Sequence, residues 1–585
     1  MSLNLEVKIS TVDSPATDGK RHAHLGVTKV EGAQRIYGRY SRWCLFVGLG
    51  LASYIYSLDG STTSAYLTFA TSTFNGHSLI GSITVAQSLI VAVGKPAIAK
   101  LADVSSRGSA YLGVLVFYVL GYTVIASASN ISTVAGGIIL YAVGYTGLQL
   151  LTQIIIADIT TLSWRGLVAS LVNAPFLINA FVGSNISTAV IKHAGWRWGY
   201  GMFAILVPAT LAPLIVTLLW AEHRAKQPGI MEEPASEPQP LHPGSVTRRF
   251  LRVAEQLDLL GLVLLGIAVS LILLPLTLSQ TVSGRWRNAS IIAMLAVGVV
   301  LLAVFVFWDL YIAKHPVIAP RFLRNRSVVF ASLIGFFDFV SFYLTFTYLY
   351  SFVLVVKPWS LVDATYFIQT QSVALTFFGI LAGVTMRFLR GYKHVLVVGL
   401  SIRLLGVALM MHSRGANGSA VELVWTQILQ GMGGGLAAVS VQVGAQAAVP
   451  HADVAMVTAI FLLVTEIGGA VGNACAGAIW SNSMPGNLQK HLPWLSDGQR
   501  ADLYGSIVSA ASSPLGDPVR EGVIQAYDDT MKIMVIAALI LSIIPALLAL
   551  GMPNHRLGEH QNAVDATDPT GTIIREKGAK GDREA

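Results

Sequence analysis

The feature that most constrains this chain is a recurrence: stretch after stretch of about 20 apolar residues, the length a helix needs to cross a bilayer core, broken by short polar interruptions. The chain is 54% hydrophobic and only 12% charged over 585 residues, where soluble proteins carry roughly 25% charged residues. That much apolar surface cannot be hidden inside aqueous folds, so lipid is the solvent and the backbone must satisfy itself within helices. The pattern predicts spans at 43–60, 79–99, 110–128, 134–156, 166–191 and 199–220, then 257–279 and 289–309, then 328–356, 364–387, 394–412, 422–448, 455–480 and 531–552. The expected fold class is an all-α membrane protein with 14 transmembrane helices arranged 6+2+6.

This divides the chain into a cytoplasmic N-terminal tail (1–42), an N-terminal six-helix bundle (43–220), a Pro-rich cytoplasmic linker (221–256) and two inserted helices (257–309). A C-terminal six-helix bundle (328–552) follows, with an extracellular loop at 482–530, and then a cytoplasmic C-terminal tail (553–585). With both termini inside, the tails and inner loops hold 27 Lys and Arg, the outer loops 9, and Lys95, Arg403 and Lys532 fall within spans. The positive-inside rule favours that orientation, and the net charge of +8 reads as a membrane-sidedness signal, with nothing pointing to nucleic acid. Three Asn-x-Ser sequons on the predicted exterior, at Asn130, Asn288 and Asn417, agree, although Asn325 heads a fourth on the cytoplasmic side.

No Gly-x4-Gly-Lys-Ser/Thr phosphate loop occurs, so ATP hydrolysis is not expected and transport energy would come from a gradient. The 13 histidines lie in tails, loops or at span ends, whereas a path for bare Fe, Zn or Mn gathers His, Cys or carboxylates at the midplane. Neither a metal site nor a cofactor is expected, and no enzyme chemistry is visible. Cys44 and Cys475 both sit in apolar runs and suggest no disulfide framework.

Between the second and third spans the chain reads Lys95-Pro96-Ala97-Ile98-Ala99-Lys100-Leu101-Ala102-Asp103-Val104-Ser105-Ser106-Arg107-Gly108. This resembles the Gly-x-Leu-Ala-Asp-Arg-x-Gly-Arg signature of the major facilitator superfamily, with Leu101, Ala102, Asp103 and Arg107 in register and Ala99 and Ser106 in place of two glycines. An acid at a helix start, favoured there by the dipole, and a nearby arginine could latch neighbouring helices in one state. Asp103 and Arg107, with Lys95, Asp158 and Arg165, are therefore the expected inner gating and charge network. Tyr54-Ile55-Tyr56-Ser57-Leu58-Asp59-Gly60, Tyr66, Lys95-Pro96 and Trp196-Arg197-Trp198, together with 14 spans, resemble the fungal siderophore-iron transporters of that superfamily. The resemblance implies proton-coupled uptake of ferric siderophores at the plasma membrane, or at an endosomal or vacuolar vesicle membrane.

A ferric tris-hydroxamate is neutral, bulky and already fully coordinated, so its carrier needs aromatic surface and amide-type hydrogen bonding in place of metal ligands. Tyr54, Tyr56, Tyr66, Phe337, Phe342, Tyr343 and Phe346 supply candidate rings, and Gln149, Gln153, Asn173, Gln369 and Gln427 candidate amides. Lipid-facing packing and the interfacial aromatic belt are the alternative for most of these rings. Tyr504 in the outer loop could guard the exterior mouth or belong to a passive connector. An intramembrane acid is a functional hypothesis by default, which makes Asp59, Asp338 and Glu466 the proton-coupling candidates; structural pairing with a buried base such as Arg403 is the alternative. The expected partners are the ferric siderophore, protons and the lipid bilayer, with no oligomeric state legible. The rivals are a proton-driven drug, toxin or glutathione exporter and a non-transporting receptor. Against export, the fifth span reads Asn173-Ala174-Pro175-Phe176-Leu177-Ile178-Asn179, keeping a proline without the glycines that such exporters carry.

Overall fold

The computed structural model describes residues 39–74, 80–104, 106–225, 255, 258–278, 287–314, 316–414, 418–505 and 507–558. Most of the predicted tails and of the 221–256 linker lies outside the described residues, as does Asn417. Among the described residues the secondary structure is helical throughout, without strands, and eleven helices are long and apolar enough to cross a membrane.

The first group comprises α1 (Arg39–Thr73), α2 (Ile80–Val104), α3 (Arg107–Ala126), α4 (Ile131–Ile159), α5 (Leu162–Val172), α6 (Pro175–His193) and α7 (Gly195–Ala225). An apolar pair follows, α8 (Leu259–Leu278) and α9 (Ala289–Phe307, continued by a wide turn to Ile312), and then the short α10 (Pro320–Arg324). The second group is α11 (Arg326–Phe346), α12 (Leu349–Val356), α13 (Leu361–Leu389), α14 (Lys393–Ser413), α15 (Ala420–Ala447), α16 (Val454–His491), α17 (Asp497–Gly505), α18 (Ile507–Ser512) and α19 (Pro518–Gly551).

Local chemistry sets several boundaries. Asn130, Asn288 and Asn325, three of the sequon asparagines, each cap a helix by accepting backbone N–H groups, which explains their recurrence at span starts without any sugar. Ser419 and Glu422 form a reciprocal capping box at α15. The expected span 166–191 is broken after Asn173, where Pro175 opens α6 at a position that needs no N–H. The predicted loop 482–530 is largely helical: α16 runs on to His491, α17 and α18 follow, and α19 starts at Pro518. Buried Arg520 ties this outer segment down by donating to the carbonyls of Val355, Leu354 and Ala510.

The packing repeats between the groups. In the first, α1 packs on α6 and α7, α3 on α4 and α7, and α2 on α4. In the second, α11 packs on α16 and α19, α14 on α15 and α19, and α13 on α15. The bundles meet along two seams, α2 with α16 and α5 with α13, while α8 lies against α2 and α16. Interhelical closeness comes from glycine: a Cβ on Gly144 would fall 2.6 Å from the Tyr118 Cα, so α3 and α4 touch backbone to side-chain root. That contact draws the tyrosines of both helices into one layer.

Candidate functional site

The three coupling candidates have three different environments. Asp59, on α1, is fully buried. The hydroxyls of Tyr118 and Tyr122 from α3, and of Tyr141 from α4 at 3.0 Å, donate to its carboxylate. These are hydrogen bonds to a carboxylate with no base among the donors. The rings brace one another, Tyr122 stacking on Tyr141 at 4.6 Å and meeting Tyr118 edge-on at 4.9 Å. Tyr118, Tyr122 and Tyr141 escaped the sequence reading, although a Tyr-x3-Tyr spacing at 118/122 and again at 141/145 places two hydroxyls on one helix face.

Glu466, on α16, pairs across the bundles with Lys95 of α2 at 2.8 Å. The lysine side chain is 0% exposed and that of the glutamate 26%, so the pair is reached from the glutamate side. Tyr343 packs on Gly469, one helical turn from Glu466, and Tyr145 stacks on Tyr56 at 4.7 Å with Phe176 edge-on to Tyr56 at 5.9 Å. Glu466 is an electrostatic neighbour of the Tyr56, Tyr145 and Tyr343 hydroxyls. The grouping of Lys95 with the inner-face charges is thus corrected. Gly94 touches Thr146, twelve residues from Asp158 along α4, which is about 18 Å of helix.

Asp338, on α11, takes the structural alternative: Arg403 of α14 stands 2.8 Å from its carboxylate and donates to its carbonyl oxygen at 3.2 Å. Gln430 donates to the Arg403 carbonyl oxygen at 3.0 Å. All three belong to one bundle, so relative motion of the bundles leaves this contact intact.

At the opposite end of α4, Arg107 pairs with Asp158 at 2.9 Å, and His451, in the turn before α16, brings its Nε2 to 3.8 Å from the same carboxylate. Arg165 donates to the Ala157 carbonyl oxygen at 3.0 Å, and Glu222 accepts from the Gly108 N–H at 3.0 Å. Arg107, Arg165 and His451 thus gather around Asp158, with Glu222 against the start of α3; His451 and Glu222 were not among the residues expected from the sequence. The Asp103 side chain lies outside the described residues, and Asp158 is one partner of Arg107.

The ring and amide candidates divide. Gln153 accepts from Gln442 across the bundles at 3.0 Å, and Ser170 donates to the Gly379 carbonyl oxygen at 2.7 Å. Both residues line a cavity of about 100 Å³ together with Arg165, Asn173 and Gln446. Gln427 is fully buried, and neither of its amide atoms has a hydrogen-bond partner among the described residues; Gln149 and Gln369 are half-buried. Phe342 stacks on Phe346 and meets Tyr343 edge-on, both at 4.9 Å, while Phe337 packs edge-on to Phe336 at 5.2 Å. Tyr66 is buried against Tyr200 inside the first bundle, Tyr54 is exposed, and Tyr504 is exposed on α17. A second cavity, about 740 Å³, opens between α6, α13 and α15, lined by Phe181, Trp359, Tyr366, Phe367 and Phe377 with Asp363 and Thr370.

Two helical bundles of matching packing, with polar groups gathered along the seams between them, define a membrane-spanning transport protein. Residues 49–473 match the Major Facilitator Superfamily, and the chain belongs to that superfamily. It is 36% identical to the siderophore transporter fer7 of Mycosarcoma maydis, over 98% of this chain and 90% of that protein. It is 37% identical to the MFS siderochrome iron transporter C of Aspergillus fumigatus (91% and 87% covered), and 34% to the low affinity heme transporter str3 of Schizosaccharomyces pombe (93% and 87%).

Proposed function

We propose that this chain imports a ferric siderophore of the hydroxamate class together with protons, by alternating access, across the plasma membrane. The observation that carries the reading is the character of the seam between the bundles: aromatic rings (Tyr56, Tyr145, Phe176, Tyr343) and uncharged amides (Gln153, Gln442) near the Lys95–Glu466 ion pair. Such a surface suits a neutral chelate whose iron is already satisfied, since stacking and amide hydrogen bonds bind it without competing for the metal. Relatives named as siderophore transporters along nearly the whole chain support the same cargo.

Fourteen spans complete the reading, because α1, α2 and α8, of 35, 25 and 20 residues, join the eleven helices already long and apolar enough to cross. The recurring pairings support two parallel six-helix repeats flanking α8 and α9. Alternating access draws support from an asymmetry. The α5–α13 seam is tight on the Asp158 side, where a Cβ on Gly383 would fall 2.6 Å from the Leu167 Cα, and it widens into the 740 Å³ cavity further along. The asymmetry supports a carrier closed on the Asp158 side, the proposed cytoplasmic face. Asp59 and Glu466 are the proposed proton-coupling acids, and Asp158 with Arg107 and His451 the inner latch.

Uptake of radiolabelled ferric hydroxamates by cells lacking their own carriers tests the reading: accumulation abolished by a protonophore is expected. Failure with every hydroxamate offered, together with drug or glutathione efflux, overturns it. The heme transporter among the relatives favours one second reading, iron porphyrin as cargo, because flat rings also stack on this seam. The same cells supplied with heme separate the two.

A further inference from the structure

We propose that Lys95 and Glu466 form an ion pair opened by substrate: an oxygen of the incoming chelate displaces the Glu466 carboxylate from the Lys95 ammonium, and the freed carboxylate takes the co-transported proton. The idea deepens the import reading and rests on it. Its first support is position. The pair joins α2 of one bundle to α16 of the other, so any rocking of the bundles about this seam must stretch it. Its second is accessibility. The ammonium is wholly enclosed and the carboxylate partly open, so a ligand arriving between the bundles meets Glu466 first and reaches Lys95 only by moving it aside.

Separating the pair without replacement would leave two charges in a low-dielectric interior, a strongly unfavourable state. A ligand oxygen solves the problem for the lysine and a proton solves it for the glutamate. Hydroxamate oxygens carry partial negative charge even in a neutral ferric chelate, which makes them acceptors for an ammonium. Binding of chelate and of proton then promote each other, as linkage requires. The backbone favours a fixed lysine: Pro96 removes one helical hydrogen bond from α2, and the Thr146 hydroxyl donates to the Val91 carbonyl oxygen at 2.9 Å, one turn away. Lys95 thus projects from a turn held by α4, and Glu466 is the partner free to swing.

Among the described residues, few ionisable groups surround Glu466. Lys95 faces it from α2, Tyr56 from α1, Tyr145 from α4 and Tyr343 from α11. On α11, Asp338 is engaged by Arg403. On α19, Asp528, Asp529 and Lys532 flank Thr530, which contacts Met484 at 3.5 Å, about five helical turns from Glu466; α8 carries its acid, Asp258, at its start.

The experiment uses the purified full-length protein, a neutral ferric tris-hydroxamate and a pH-indicator dye. Wild type should take up about one proton per chelate bound, with Kd tightening by up to about tenfold per unit fall in pH. Lys95→Met should bind at least about tenfold more weakly, the scale of one lost charge-assisted hydrogen bond, and take up no proton. Glu466→Gln should take up no proton. The neutral pair Lys95→Met/Glu466→Gln, which removes both buried charges and so keeps the fold, should also take up none. If the pair only staples the bundles, that double variant regains wild-type proton uptake and pH dependence, and the proposal is overturned. Undiminished proton uptake by Glu466→Gln overturns it equally. A wild-type protein that binds no chelate overturns the import reading itself, and this inference with it.

Discussion

Replacing Tyr141 by phenylalanine deletes one hydroxyl and leaves the ring where it is, stacked on Tyr122 at 4.6 Å and tilted against Tyr145 at 5.5 Å. What is lost is the 3.0 Å bond to Asp59, a carboxylate sealed from solvent and held by hydroxyls with no base among them. A hydrogen bond to a charged group contributes about 1.5–3 kcal/mol, against about 0.5–1.5 kcal/mol for a neutral one. For a unit the size of one bundle, 1 kcal/mol moves Tm by about 2–4 °C, so Tyr141→Phe should lower the melting temperature by about 3–12 °C if the carboxylate is ionised. Loss of the near-ultraviolet circular dichroism of the packed tyrosine layer on heating in detergent reports unfolding of this bundle. The cycle closes with Asp59→Asn: an amide has no charge to solvate, so Tyr141→Phe should cost about 1 kcal/mol less in that background. Additive effects of the two substitutions, or a Tyr141→Phe protein that melts with wild type, would refute the view that the tyrosine layer exists to hold this acid.

Gly144→Val should force α3 from α4, since its Cβ would fall 2.6 Å from the Tyr118 Cα; overpacking of this kind costs about 1–3 kcal/mol, while Gly113→Ala, with nothing within 4 Å, should leave thermal stability unchanged. Asp158→Asn breaks a buried ion pair with Arg107, a change that costs about 3–5 kcal/mol where a charge loses its buried partner, and should raise labelling, by a reagent arriving from the Asp158 side, of a cysteine introduced at Ser170. Burial pushes the His555 imidazole below its ordinary value, where its Nε2 meets the Ser327 hydroxyl at 3.1 Å and its ring lies against Tyr392. A depressed value means that the unfolded state binds more protons, so docking of this segment is fully stable above the ordinary histidine range near about 6.5 and weakens as pH falls through and below it. The protection factor for amide exchange at Asn554–Leu557, taken against the intrinsic rate at each pH, should therefore fall in acid in wild type and lose that dependence in His555→Phe.

Much of this protein was legible in one dimension because lipid enforces a simple rule: backbone groups must pair locally, so spans read as apolar runs of a fixed length. Even the asparagines that cap helices are visible as letters. The charge inventory was legible too, with Asp59, Asp338 and Glu466 standing out as acids where acids are costly. Their partners were not. Lys95 looks like a member of the inner-face motif that follows it by a few residues, yet it meets Glu466, 371 positions away. Arg107 reaches Asp158, 51 positions on. Tyrosines 118, 122 and 141 read as ordinary aromatic filling until Gly144 brings α3 against α4 and turns three hydroxyls onto one carboxylate.

The sequence by itself determined that the chain crosses a bilayer as helices and which residues are expensive to bury. The tertiary structure alone decided what each charge meets: one acid caged by hydroxyls, one paired inside a bundle with Arg403, and one bridging the bundles to Lys95. The reason is physical. Hydrophobic burial is summed along the chain and leaves its record there, whereas a charge in lipid is settled by whatever partner packing delivers within about 3 Å, and that partner comes from another helix.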